Sequence, residues 1–460
     1  MSSHPLSRFA PFAVLALLGS LLAIWLVPHE QEAVREHLIG FPDDDTTSHN
    51  LRPLVLGILC LLPAAAALLY ALADTLDRYL ARQMLSAVGI TFLALVVIWV
   101  LLDLNDNLGE MRNAENPWHF IIRYYGILFG PVFVLLAPFA LLLGLLYSLG
   151  KLSGTHEVIA MLQTGRGVAR VIAPLTTVGV FLSVACLLFN YHLGPWGEGY
   201  QQGMIEELRD GSASRARNVL YQNEDSGRTW LVGRFPYDYN RGVPLRDIQI
   251  TNKNAEGDII SRFKAPVARW DLITREWSFE NPELMILPRG EPTDDIRTLM
   301  PIFERQAPTV VFKDWPETPW QIVNPGLQAR YLGIPGLRSW LRANEHLAWV
   351  DRQPFITQWH YRTAQPWICL VVVLLAAPLG IVFSRRGLAG GVAVAVFLAA
   401  MMLFSAEVFL ALGDSGYIRP VLAAWGTNFV FTAIALFLLW RRLRGQSIYQ
   451  SLKRLLPMGE

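Results

Sequence analysis

The chain has 460 residues, 53% of them hydrophobic and only 17% charged, with a formal net charge of +1 and a mean hydropathy of +0.32. Soluble domains carry roughly 25% charged residues, so this composition excludes an ordinary soluble protein and marks an integral membrane protein. The balanced charge gives no reason to expect a nucleic-acid partner, and Cys60, Cys186 and Cys369 all sit in apolar runs without metal-ligand spacing.

Residues 9–27 form the first apolar run. Arg8 ahead of it would suit a signal peptide, but no small-x-small cleavage site follows, so an uncleaved membrane helix is expected. A polar loop over 29–50 carries Glu30, Glu32, Glu36, Asp43, Asp44 and Asp45 against Arg35. Residues 54–73 return across the membrane with Pro63 as a tolerated kink. After the polar stretch 74–83, the runs 84–102, 120–149 and 171–189 cross again, separated by a polar loop at 103–118 and by 150–170. A large soluble block, 193–358, precedes the last runs at 367–383, 392–412 and 421–440. The total is about eight crossings, each near the ~20 apolar residues that a bilayer requires.

Arg78, Arg82, Lys151, Arg166, Arg170, Arg385, Arg386, Arg441, Arg442 and Arg444 all fall on one side of this pattern. By the positive-inside rule that side is the cytoplasm, which puts both termini inside and the soluble block outside. Within the block, 245–251 and 258–264 alternate apolar and polar residues around a turn at 254–257, the signature of a hairpin. Residues 266–272 and 276–280 suggest a second pair, and 228–234 and 309–312 further strands. Many short strands imply an antiparallel sandwich or barrel. Residues 335–350 read as an amphipathic helix.

The polar interruption GKLSGTHEVIAMLQTGRGVAR, 150–170, stands between two long apolar runs. Val158, Ile159, Met161 and Leu162 recur at helical spacing. Ser153 or Thr155 would start a short helix over 153–165, Glu157 suits its first turn, and Gly165 and Gly167 end it. A short helix across the mouth of two membrane helices is a docking surface.

Catalytic chemistry finds no support. The pair His156-Glu157 lacks the second histidine of a zinc motif, because Ala160 stands there, and Leu152 follows Lys151 where a phosphate-binding loop needs Ser or Thr. No Gly-x-Ser-x-Gly elbow occurs. No catalytic residue, metal or cofactor is therefore expected. Glu407 lies inside an apolar run, either as a functional intramembrane carboxylate or as a side chain reaching interfacial water. Arg112, Arg123, Arg362 and Arg419 lie near the outer ends of crossings, against the charge trend. Singly they would snorkel; together they suit the phosphates of an anionic headgroup, which guanidinium binds bidentately.

Several motifs occur in order: DRYLARQ (77–83), Pro131 and Pro138, LGKLSGTHEVIAMLQTG (149–165), Pro174, Pro195, APVARW (265–270), HYRTAQPW (360–367), SRRG (384–387) and AAWGTN (423–428). From about 76 to 444 the chain resembles the LptF/LptG (YjgP/YjgQ) permease family of the lipopolysaccharide exporter. The resemblance implies six permease helices, split three and three by an inserted periplasmic β-jellyroll, in the bacterial inner membrane. It implies a second permease of the same kind, a cytoplasmic ABC ATPase dimer, and a periplasmic LptC/LptA-like bridge that receives lipopolysaccharide. The ATPase-coupling role carries to Glu157, with Val158, Met161 and Leu162 filling a groove on the ATPase. The expected organisation is an extra transmembrane hairpin (1–74), three permease helices with the coupling helix (75–192), the β domain (193–358), three more helices (359–444) and a cytoplasmic tail (445–460). The hairpin departs from the family pattern, as does the acidic DLNDNLGE at the outer end of the first family helix. The alternative is a membrane-anchored envelope scaffold or sensor whose β domain binds a periplasmic partner.

Overall fold

The computed structural model describes residues 8–39, 41, 46–165, 167–210, 214–223, 225–239, 242–254, 256–287, 302–313, 315–380 and 388–444. Arg166, Arg385, Arg386, Asp43, Asp44, Asp45 and the tail 445–460 lie outside the described residues, as does the side chain of Leu162. Among the described residues, eight helical segments are long and apolar enough to cross a membrane.

The first helix, α1 (Ala10–Leu38), runs well beyond its apolar stretch. QEAVREHL contains no helix breaker, and Pro28 is absorbed inside the helix, so most of the expected loop is helical. The short α2 (Thr46–Asn50) leads into α3 (Arg52–Leu72). Glu30 of α1 and Arg52 of α3 form an ion pair at 2.6 Å, which neutralises part of the acidity expected there. The next pair, α4 (Thr75–Met111) and α5 (Pro117–Gly154), reduces the polar loop at 103–118 to 112–116. Their backbones cross closely: a Cβ added at Gly144 would lie 2.6 Å from the Cα of Val88, so only glycine fits.

Beyond the cross-helix α6 (Glu157–Gln163) and the span α7 (Val168–Tyr191) comes α8 (Leu193–Asp210). This helix is absent from the expectations because Pro195 and four glycines mask its pattern; Pro195 falls in its first turn, where no N–H is needed. Pro131, inside α5, deprives the Ile127 carbonyl of its helical donor. Gly197 of α8 packs there, its Cβ position 2.8 Å from that oxygen.

Among the described residues, the soluble part is built on eight antiparallel strands: β1 (Ala216–Asn223), β2 (Arg228–Phe235), β3 (Leu245–Lys253), β4 (Ile259–Trp270), β5 (Trp277–Glu280), β6 (Glu283–Ile286), β7 (Ile302–Arg305) and β8 (Thr309–Phe312). The order is β1-β2-β3-β4-β5-β8, and β6, which pairs with β7, also branches from β4. β4 is one strand where two were expected. Its Ser261–Lys264 half pairs with β6 and its Val267–Trp270 half with β5. Pro266 falls between the two halves, where the ladder changes partner and needs no N–H.

Trp230, Phe235, Trp277 and Phe279 are fully buried in the β core, closed by Ile322 of α9 (Pro319–Val323) and Leu337 and Trp340 of α10 (Ile334–Ala343). Glu317 is also fully buried. Its Oε1 accepts from Asn223 Nδ2 at 2.8 Å, Ser226 Oγ at 2.9 Å and Arg228 Nε at 2.9 Å. The helix expected over 335–350 is two, since α10 stops at Ala343 and α11 (Trp349–Ala364) begins afresh. With α12 (Ile368–Gly380), α11 makes one span over Trp349–Gly380, which starts earlier than the apolar run at 367. The last helices are α13 (Leu388–Asp414) and α14 (Pro420–Leu443). Leu80, Leu141, Leu145, Leu149, Val171, Leu175 and Val373 form the centre of the membrane bundle.

Candidate coupling helix and buried polar cavity

The turn between α5 and α7 is built from local chemistry. The Thr155 N–H bonds back to the Lys151 carbonyl at 3.0 Å, ending α5. His156 then takes a left-handed φ of 61°, and α6 starts at Glu157. Ser153 is not the cap, because it still belongs to α5 and its hydroxyl donates to the Gly380 carbonyl of α12 at 3.3 Å. Gly165, with φ of 84°, turns the chain after α6, a conformation that glycine adopts without a Cβ penalty.

Glu157 does not project freely. Its Oε2 accepts from the Tyr79 hydroxyl of α4 at 2.6 Å and its Oε1 from Thr155 Oγ1 at 2.9 Å. Gln83 Nε2 in turn donates to the Tyr79 oxygen at 2.9 Å. On the far side of α6, Arg170 of α7 bonds Asp74 at 2.7 Å and Asp77 at 2.8 Å. Glu157 thus ties the cross-helix to α4, and Arg170 separately ties the following helix, α7, to the start of α4. Val158 is only 1% exposed and packs into the bundle core, and Met161 packs against the same core. This burial removes Val158 from the surface expected to fill a partner's groove, whereas Met161 is only half-buried and still presents part of its side chain. The edge left exposed carries Ala160, Gln163 and Thr164.

Towards the other end of the bundle lies a cavity of about 520 Å³, shared by α5, α7, α8, α11 and α13. Glu198 of α8 pairs with Arg330 at 2.6 Å across it, and that carboxylate raises Arg330 above its usual pKa. Gln358 donates to Asp414 at 3.1 Å and the Tyr361 hydroxyl to Glu407 at 3.4 Å. Arg362 is 6% exposed, with its guanidinium donating to the Arg330 carbonyl. Its Nε and one oxygen of Asp414 are buried without a hydrogen-bond partner. Two arginines and three carboxylates make the wall charge −1, counted as +2 − 3.

Glu407 and Arg362 therefore line one cavity, as no spacing in the sequence indicates. Glu407 is the most exposed of the three carboxylates. The other candidate arginines do not line this cavity. Arg123 of α5 donates to the Tyr200 hydroxyl at 2.5 Å, and its guanidinium lies 5.6 Å from that ring centre. Arg112 and Arg419 are exposed at the end of α4 and the start of α14. Arg362, buried among carboxylates, cannot share a headgroup with them at the surface, which corrects the four-arginine grouping. Glu198, Arg330, Gln358 and Asp414 escaped the sequence reading because each is a lone polar residue with no partner in its own segment, for which interfacial exposure is the ordinary explanation.

The eight membrane-spanning helices among the described residues, an antiparallel β domain inserted among them and a short cross-helix braced against the first core span define a multi-pass membrane permease. A profile described as "Lipopolysaccharide export system permease LptF/LptG" matches residues 78–441, and the chain belongs to that family. Among curated proteins it is similar to the lipopolysaccharide export system permease protein LptF of Escherichia coli (strain K12), 21% identical over 375 residues, covering 80% of this chain and 96% of the relative. The LptF proteins of Escherichia coli O157:H7 and Shigella flexneri match to the same extent. This membership favours a transporter component over the scaffold or sensor alternative. All of α1–α3 lies before the matched stretch.

Proposed function

We propose that this chain is one permease of a pair that lifts lipopolysaccharide, or a similar anionic glycolipid, from the inner membrane and passes it to a periplasmic LptC/LptA-like bridge. A dimer of cytoplasmic ABC ATPases drives it from the α6 end. Arg78, Arg82, Lys151, Arg170 and Arg444 gather at that end, which favours a cytoplasmic α6 and a periplasmic β domain. The observation that carries the reading is the brace at Glu157. Because Glu157 ties α6 to α4 while Val158 seats it in the bundle, a push on α6 reaches α4, α5 and α7 together. The ATPase meets the outer edge of α6, with the part-exposed Glu157 carboxylate beside it and Leu162 as a further proposed contact. Arg112, Arg123 and Arg419 remain proposed headgroup contacts, since guanidinium suits phosphate.

Three variants separate coupling from simple bracing. Glu157→Lys should abolish ATPase co-purification and lipopolysaccharide-stimulated hydrolysis, and Glu157→Gln should weaken both. Tyr79→Phe removes the internal bond but keeps the charge, so association should persist. If Glu157→Lys associates and hydrolyses ATP like the unaltered chain, the coupling assignment is wrong. If Tyr79→Phe matches Glu157→Lys, the glutamate is only a brace.

A further inference from the structure

α3 packs beside α7 but stands off from α4, leaving a cavity of about 730 Å³ between α3, α4, α5 and α7. Its walls are kept back by small residues: Ala66 on α3, Ala81 and Gly89 on α4, Ala137 and Ala140 on α5, and Ala185 on α7. Along α4 it runs from Asp77 to Phe92, about 22 Å at 1.5 Å per residue, compared with about 15 Å for one leaflet of a 30 Å hydrocarbon core. An apolar space of this size, left empty, loses dispersion contacts along every wall. Water finds too few polar partners to fill it. The apolar windows of α1 and α3 are only 6% buried, so the hairpin that forms one wall is immersed in lipid.

One end of the cavity carries charge. Arg170 bridges Asp74 at 2.7 Å and Asp77 at 2.8 Å, a cluster of net charge −1, counted as +1 − 2. Asp74 and Arg170 remain 67% and 48% exposed. Such a cluster matches a headgroup that presents an ammonium to the carboxylates and a phosphate to the guanidinium. It opposes a headgroup that is purely anionic.

We propose that this cavity is a site for a resident zwitterionic membrane phospholipid, with an acyl chain between hairpin and bundle and an ammonium-bearing headgroup at Asp74, Asp77 and Arg170. The lipid serves as the packing that joins the N-terminal hairpin to the permease and is distinct from the exported glycolipid. A Cβ added at Gly89 meets no atom within 4 Å, so Gly89→Phe fills the cavity without moving a helix, and Ala66→Leu fills it from the opposite wall.

The test is native mass spectrometry of the full chain purified from its own membranes, followed by back-titration with phosphatidylethanolamine, phosphatidylglycerol and lipopolysaccharide. The unaltered chain should retain phosphatidylethanolamine. Gly89→Phe and Ala66→Leu should each reduce its retention about tenfold or more, because displacing two buried methylenes suffices for that factor. Asp74→Asn with Asp77→Asn should shift preference towards phosphatidylglycerol. No retained phospholipid in the unaltered chain, lipopolysaccharide as the retained species, or full retention by both filled variants would each overturn the site. An unchanged headgroup preference in the Asn pair would overturn the headgroup assignment.

Discussion

Replacing Arg228 with Met tests how the β domain tolerates a buried charge. Glu317 is fully buried, and among the described residues Arg228 supplies its one cationic hydrogen bond, at 2.9 Å. The same guanidinium lies 4.8 Å from the Trp315 ring centre. Arg228→Met keeps the stem but leaves the carboxylate with only the neutral donors of Asn223 and Ser226. Breaking a buried pair from one side costs about 3–5 kcal/mol. At about 2–4 °C per kcal/mol for a domain of this size, the unfolding midpoint should fall by about 6–20 °C. Adding Glu317→Gln to Arg228→Met removes the stranded charge yet still accepts from Asn223 and Ser226, so the double variant should recover much of the loss. Thermal unfolding of the full chain, followed by tryptophan fluorescence, reads both, since Trp230, Trp277 and Trp315 surround the site. A single variant that loses less than about 1 kcal/mol, the worth of an exposed pair, would refute the reasoning. So would a double variant no better than the single one.

Gly144→Leu should force α4 and α5 apart at Val88, lowering the detergent unfolding midpoint by an amount equivalent to about 1–3 kcal/mol. Gly126→Leu, whose Cβ meets nothing within 4 Å, should change little, and equal effects at the two sites would contradict the close crossing. His192, between α7 and α8, is held well below 6.5 first by burial and then by Arg52, His49, His37 and Arg215. The unfolded histidine takes up a proton near 6.5 and the folded one does not, so stability is full above pH 6.5 and declines as pH falls below it. His192→Gln should flatten the fall in midpoint between pH 7 and 5, and an unaltered slope would exclude His192 as a contributor.

The spans were legible because hydropathy is a one-dimensional signal, and so were α6, with its closing Gly165, and the β3–β4 hairpin. Thr309–Phe312 proved to be β8 at its expected bounds. Hydropathy marks the membrane, however, and not the end of a helix. That is why α1, α4 and α11 continue through residues that read as loop or soluble block. Pro266 misled in the opposite direction, since a proline inside an apparent strand ordinarily ends it, and only the change of partner along β4 explains its place. The polar cavity was least legible. Glu198, Arg330, Arg362, Glu407 and Asp414 come from separate segments, and no local period connects them.

The 38 residues of α5 form a shaft of about 57 Å, nearly twice the ~30 Å of hydrocarbon it crosses. Proline sites are where helices bend; of the two inside α5, Pro131 and Pro138, Pro131 is the one whose turn carries Gly197, and it divides this shaft unequally. About 35 Å lie on the α6 side and about 21 Å on the side of Pro117, at 1.5 Å per residue. Gly197, at the root of the β domain, rests on the weakened turn itself. If the shaft pivots there, it works as a crank whose long arm is at α6. A displacement at that end then arrives at Pro117 smaller and with more force, while α8 rides the fulcrum and turns more than it travels.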